Sequence, residues 1–202
     1  MTRFLLVRHG QSEWNAVGRW QGWADPALTS LGALQSRLAA DAVGAGGTVD
    51  VIVASDLRRA VSTATIMAES LGIGPVAVDP LLRERDVGDW TGLTRAEIEQ
   101  RWPEALSAPV PEPPGGESAI EVVGRTLTAL YGLAEAHPES VVLVVTHGGV
   151  IRGLERHLGR DPAPLPNLGG VWLELGAGGL EAGSRLLLID PDDVAVTVPR
   201  QL

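Results

Sequence analysis

FLLVRHGQSEWN, residues 4–15, carries an apolar run straight into an arginine, a histidine and a glycine, and VVLVVTHGG, residues 141–149, repeats the figure. Short apolar runs rich in β-branched residues and closed by glycine read as buried strands. In an open α/β sheet, ligands bind at the carboxyl ends of the strands. Both junctions therefore place a histidine, His9 and His147, on one sheet edge. The glycines that follow allow tight turns and close approach of backbone N–H groups to a ligand. One such histidine is more commonly a hydrogen-bonded core residue; two in matched contexts argue for a site.

The rest of the chain fits the same plan. Thr29 is a good N-cap for a helix whose inner face is expected from Leu31, Leu34, Leu38 and Ala42. VDVIVAS at 49–55 reads as a buried strand, and Leu57, Val61, Ala64, Ala68 and Leu71 mark a helix that ends at Gly72. A short strand follows at 76–78, then a small helix with Thr94 and Glu97 as its capping box. Pro103, Pro109, Pro111, Pro113 and Pro114 make an extended, irregular stretch, and Ile120, Val123, Leu127, Leu130 and Ala134 mark a long amphipathic helix. A helix over about 149–158 follows the second histidine, and VWLEL and RLLLID supply two last strands joined by a glycine-rich turn. Strands alternating with helices imply a three-layer α/β/α fold with a mostly parallel central sheet, and the last two strands, too close for a helical crossover, add an antiparallel edge strand. Residues 1–202 read as a single domain, with 85–116 as a lid or insertion over the site.

Composition removes several chemistries. The chain has no cysteine, which excludes disulfides and thiolate nucleophiles, and all 16 basic residues are arginine, which excludes Schiff-base and P-loop lysines. A net charge of −9 with no basic run longer than Arg58–Arg59 argues against nucleic acid and anionic membrane partners. No stretch approaches the ~20 apolar residues of a membrane span, and MTR leads directly into the first strand without a secretory signal, so the expected location is the cytoplasm. His137 and His157 lack metal-ligand spacing and are expected on the surface.

An anion site must then be a local pocket. Arg8 adjoins His9, and Arg58 and Arg59 follow another strand end, where a helix N-terminus gains nothing from cations unless an anion compensates them. Glu84 follows the third strand. Arginines to neutralise a phosphoryl group, an imidazole to attack phosphorus and an acid to protonate the departing alkoxide make a coherent set. Trp14, Trp20, Trp23 and Trp90 either wall this pocket or pack its loop, and PVPEPP reads as a lid or rim in preference to a ligand for a proline-recognition domain.

The ordered set RHGQSEWN, RWQGWADPALTSLG, SDLRRAVSTA, RERDVGDWTGL, GGES and VVTHGG, spanning residues 7–149, closely resembles the histidine phosphatase superfamily, also called phosphoglycerate mutase-like. The resemblance implies His9 as the nucleophile that becomes phosphohistidine and Glu84 as proton donor. It implies a phosphate pocket of Arg8, Arg59 and His147, contacts from Asn15 and Gly148, and Gln21 and Gly22 near the leaving group, with Arg58 outside. It implies no metal and no cofactor, a small phosphate monoester as partner, and leaves a homodimer open. Mutases of the family carry a longer insertion with paired arginines and a longer tail. This chain has only Arg95 and Arg101 between Leu93 and Gly115, so phosphatase is the expected activity, most similar to the bacterial broad-specificity group that includes glucosyl-3-phosphoglycerate phosphatases. Phosphoglycerate mutase and α-ribazole phosphatase stand as alternatives, and a catalytically dead scaffold that binds phosphorylated ligands is the non-enzymatic one.

Overall fold

Strand β1 (Thr2–Arg8) alternates between two cores: Phe4 and Leu6 face one, Leu5 and Val7 the other, all four buried. This double burial explains why the run is continuously apolar, as a central strand covered on both faces must be. After it come α1 (Glu13–Ala16), α2 (Ser30–Gly46), β2 (Val51–Ala54), α3 (Arg58–Leu71), β3 (Ala77–Val78), α4 (Arg95–Arg101) and α5 (Ala119–Ala136). The chain continues through β4 (Val141–Thr146), α6 (Gly148–His157), β5 (Gly169–Gly176) and β6 (Gly179–Leu187). These elements belong to a computed structural model that describes residues 1–190, 192 and 194–197. The C-terminal end of the single unit expected over 1–202 lies outside the described residues.

The six-stranded sheet has the order β3-β2-β4-β1-β5-β6. β3, β2, β4 and β1 pair in parallel, while β5 runs antiparallel to both β1 and β6. The antiparallel hairpin expected from the last two strands is present, and its inner arm, β5, carries the reversal against β1. Helices α2 and α3 cover one face through Ala39, Ala40, Val43, Ala60, Ala64 and Met67; α5 and α6 cover the other through Ala129, Leu130, Ile151 and Leu154. A third, small core of Trp20, Val87, Trp90 and Ile98 closes over the carboxyl edge, with Trp20 and Trp90 edge to face at 5.3 Å.

Helix ends follow their sequence signals. Gly72 caps α3 in the left-handed region at φ 67°, and Thr94 with Glu97 forms the capping box of α4. Two faces differ from expectation. In α2, Leu34 is 41% exposed and Ala42 is exposed, whereas Gly32, Gln35, Ser36, Ala39, Ala40 and Val43 are buried. The helix lies so close to the loop after β1 that a Cβ on Gly32 would sit 2.1 Å from the Gln11 carbonyl oxygen, so small and polar residues, not leucines, occupy the contact. In α5, Ile120 is 82% exposed; Val122, Thr126, Ala129 and Leu130 are buried, with Val123, Leu127 and Ala134 half-buried beside them.

Candidate active site

Sheet register brings the two histidines together. Arg8 pairs with Thr146, so His9 and His147 leave adjacent parallel strands side by side. The His9 N–H donates to the Thr146 carbonyl at 3.0 Å, and the two rings meet edge to face with centroids 5.2 Å apart. Next along the sheet, the end of β2 delivers Ser55, whose Oγ lies 2.9 Å from His147 Nε2.

The protonation state of His9 follows from one contact. Its Nδ1 lies 2.7 Å from the Gly10 carbonyl oxygen, which can only accept, so Nδ1 carries the proton. In the neutral ring, Nε2 is then an unprotonated lone pair. Neutrality is enforced: burial, then Arg59 and Arg8, hold the pKa of His9 well below its ordinary value, against a smaller opposing effect of the Gly10 bond. Burial, then Arg59, does the same to His147, whose Nδ1 has no hydrogen-bond partner among the described residues.

Around His9 the polar groups offer donors. Arg8 and Arg59 are 3% and 0% exposed, and burial lowers both guanidinium pKa values to about 10, which leaves them charged at neutral pH. Backbone carbonyls fix them: Arg8 Nη1 donates to Leu165 at 2.8 Å, and Arg59 donates to Ala24 at 2.7 Å and Gly22 at 2.9 Å. Asn15 and Gln21 are oriented by their oxygens, which accept from the Ser12 N–H at 3.3 Å and the Ser12 hydroxyl at 2.7 Å, leaving their NH₂ groups for the cavity. Gly148 and Gly149 open α6, so a helix N-terminus adds its partial positive charge.

Among the described residues, Glu84 is the one carboxylate on the wall. Its Oε1 accepts from the Arg85 N–H at 2.9 Å and its Oε2 from the Gly149 N–H at 3.2 Å. Its backbone is pinned from outside: the Glu84 carbonyl accepts from Trp23 Nε1 at 2.8 Å and Arg125 Nη2 at 3.0 Å. Arg125 also donates to the Leu81 and Arg83 carbonyls and to the Glu117 carboxylate, so it holds the whole turn that presents Glu84.

These groups enclose a cavity of about 40 Å³. At the ~10–15 Å³ that one water needs, it holds about three waters, the scale of a phosphoryl group. Of the residues singled out in the sequence, Arg8, His9, Asn15, Gln21, Gly22, Arg59, Glu84 and Gly148 line it, as does Trp20. His147 stands against His9, edge to face, with its Nδ1 unpartnered among the described residues; Arg58 is exposed and off the wall. Sequence reasoning missed Arg152, Val87, Gly149 and Leu165 on the wall, and Arg125 behind it. Arg152 had one available signal, its place one helical turn after Gly148. It missed Asn167 too, whose Nδ2 donates to the His9 carbonyl at 2.8 Å.

The family model for the histidine phosphatase superfamily (branch 1) matches residues 4–171. A glucosyl-3-phosphoglycerate phosphatase of Mycobacterium tuberculosis is 38% identical over 190 residues, covering 86% of this chain and 84% of that protein. A metal-independent phosphoserine phosphatase of Arabidopsis thaliana is 38% identical over 160 residues, covering 76% of this chain and 67% of that protein. Among solved structures, mycobacterial glucosyl-3-phosphoglycerate phosphatase complexed with VO₃ superposes with a TM-score of 0.82 at 33% identity, over 90% of this chain and 96% of that one.

Proposed function

We propose, from the premise that this chain belongs to the histidine phosphatase superfamily, that it hydrolyses small phosphate monoesters through a phosphohistidine on His9. That it is a phosphatase, a phosphoric monoester hydrolase, follows from the family and its phosphatase relatives. The observation that carries the mechanism is the Nδ1 contact with the Gly10 carbonyl, which leaves a lone pair on Nε2 of a ring kept neutral by burial and flanked by two fixed cations.

In the first step Nε2 forms a bond to phosphorus and the ester P–O bond breaks, with the Glu84 carboxyl giving its proton to the departing oxygen. Arg8, Arg59 and Arg152, the NH₂ groups of Asn15 and Gln21, and the start of α6 neutralise the phosphoryl oxygens, where preorganised donors act most strongly. A Ser55 hydroxyl donating to Nε2 of His147 leaves the proton of that neutral ring on Nδ1, the nitrogen free to bind a phosphoryl oxygen. In the second step water attacks phosphorus, Glu84 takes its proton, and the N–P bond breaks to return neutral His9.

The proposal treats 1–202 as one domain with 85–116 lying over the site; Val87 on the cavity wall and the Arg85 bond to the Pro111 carbonyl, at 2.8 Å, support this. For substrate, the relatives named for glucosyl-3-phosphoglycerate and phosphoserine favour an acid-bearing ester, with or without a sugar, over α-ribazole phosphate. No helix among the described residues is long and apolar enough to cross a membrane. A cytoplasmic location belongs to the same proposal and is tested by cell fractionation. The test of function is incubation, with a chelator present, with 3-phosphoglycerate, glucosyl-3-phosphoglycerate, α-ribazole phosphate and p-nitrophenyl phosphate. Free phosphate without 2-phosphoglycerate is the expected product; efficient isomerisation would make the chain a mutase, and no turnover would leave a phospho-ligand scaffold.

A further inference from the structure

Helix α2 turns one long polar side chain into the interior. Gln35 is fully buried on the same face as Ala39 and Val43, where the close approach of Gly32 to Gln11 accounts for small residues but not for a glutamine. Ordering and burying a long amide costs free energy unless its polar ends are bonded. Both ends of Gln35 are. Its Nε2 donates to the Ala195 carbonyl at 2.7 Å. A carbonyl only accepts, so the NH₂ must face Ala195 and Oε1 is turned the other way, where it accepts from the Gln11 N–H at 2.9 Å.

That N–H belongs to the peptide group joining Gly10 to Gln11, whose carbonyl is the acceptor for His9 Nδ1 at 2.7 Å. The two bonds leave opposite edges of one rigid plane, so a rotation of the plane breaks both. The peptides on either side are held separately. Between His9 and Gly10, the N–H donates to Thr63 Oγ1 at 3.0 Å and the carbonyl accepts from Asn167 Nδ2 at 2.8 Å. Between Gln11 and Ser12, the carbonyl accepts from the Thr29 N–H at 2.9 Å. Gly10 has no side chain to restrict its own rotation, and none would fit, since a Cβ would lie 2.6 Å from the Gly32 carbonyl oxygen. The plane that carries the His9 acceptor takes its orientation from Gln35.

We propose that Gln35 is a positioning residue for the nucleophile: by holding the peptide after Gly10 it keeps that carbonyl aimed at Nδ1, and so keeps the lone pair of His9 on Nε2. The inference rests on the phosphatase reading above, in which Nε2 attacks phosphorus. Which ring nitrogen of a histidine carries the proton is set by the hydrogen bond the other nitrogen makes or lacks. Here the setting reaches back through three bonds, from His9 Nδ1–H to the peptide, from the peptide to the Gln35 amide, and from the amide to Ala195, all donating in one direction. Such chains polarise one another, strengthening each bond by about 10–30%. Without Gln35 the Gln11 N–H loses its partner and the plane is free to turn towards another, taking the His9 acceptor with it.

The experiment reads the ring directly. Long-range ¹H–¹⁵N spectra of enzyme labelled with ¹⁵N-histidine distinguish a protonated ring nitrogen from a bare one, and His9 is assigned by its absence from His9→Ala. The wild type should carry the proton on Nδ1 and show a bare Nε2. Gln35→Met, close in size but with neither donor nor acceptor, should bring in the Nε2–H form. It should also lower kcat/KM for p-nitrophenyl phosphate by about 10-fold, the scale of one hydrogen bond, with inhibition by inorganic phosphate unchanged. Gln35→Glu retains an acceptor for the Gln11 N–H and should retain the Nδ1–H form. Thr63→Val breaks a bond to Gly10 on the other peptide and should retain it as well. A wild-type ring protonated on Nε2 would overturn the proposal, whether or not the variants fold. So would an unaltered His9 spectrum in folded Gln35→Met, whatever its activity, or a Thr63→Val spectrum shifted as far as that of Gln35→Met. No turnover of any ester by the wild type would overturn the phosphatase reading and the catalytic role with it, while the spectra would still decide whether Gln35 sets the ring.

Discussion

Gly149→Ala separates the position of Glu84 from the integrity of the fold. A Cβ at 149 would lie 2.4 Å from Glu84 Oε1, and this oxygen must retreat by about 1 Å to reach an ordinary contact of 3.4 Å. A misplacement of about 1 Å at a reacting group lowers the rate on the order of 10²-fold, or about 2.7 kcal/mol of transition-state stabilisation. The helix itself gains from the change, since alanine is favoured over glycine in a helix by roughly 0.5–1 kcal/mol, so the unfolding midpoint should not drop. The assay is kcat/KM, which reports phosphoryl transfer to the enzyme, for two esters that differ in their need for an acid. Glycerol 3-phosphate must release an alkoxide that requires the Glu84 proton; p-nitrophenyl phosphate releases a phenolate that is stable without it. The alkyl ester should lose about 100-fold and the aryl ester less than about 10-fold. Equal losses on both esters, or no loss on the alkyl ester in a folded protein, would refute the reasoning.

Three further outcomes follow from the same geometry. His9 and His147 have folded-state pKa values below the ordinary 6.5 because burial and the nearby arginines oppose a charge. The unfolded chain therefore binds the additional protons below pH 6.5, and stability should fall with falling pH by up to about 1.4 kcal/mol per unit for each histidine. Urea unfolding at pH 7.5 and 5.5 measures this, and equal stability at the two values would contradict it. Arg125→Ala removes the bonds to Glu117 and to the Leu81, Arg83 and Glu84 carbonyls in a pair only 14% and 17% exposed, and should cost about 3 kcal/mol in chemical denaturation while also lowering kcat on alkyl esters. Gly88→Ala should destabilise by about 1–3 kcal/mol in thermal melts, because residue 88 has φ +47° and its Cβ would lie 2.2 Å from the Pro114 carbonyl oxygen.

The parts of the fold legible in the sequence were those set by local rules. Both strand-to-histidine junctions, the α3 stripe ending at Gly72 and the Thr94–Glu97 capping box depend on periodicity and on a few neighbouring residues, and each is present. The inner face of α2 was misread at Leu34 and Ala42, though Leu38 does pack on the core, because leucine spacing says which side is apolar, but not that the loop at Gln11 presses against Gly32 and admits only small residues there. Ile120 joined the right helix on the wrong side because the first turn of α5 extends past the core that Val122 and Thr126 enter. In the site, residues next to a strand end were readable, since the chain direction delivers them. Arg152 was readable only from helix periodicity, one turn after Gly148, and Leu165 and Asn167 were not readable: they come from a loop whose approach to His9 depends on β5 returning antiparallel to β1.

The central claim is that phosphorus is transferred to Nε2 of His9. It is tested most directly by mixing the enzyme with p-nitrophenyl phosphate, quenching in alkali, where phosphohistidine survives, and locating the phosphoryl group by mass spectrometry of the peptides. The account predicts an adduct on His9, formed and lost within the turnover time and absent from His9→Ala. Turnover with no adduct, or an adduct on His147 with His9 unmodified, would contradict it.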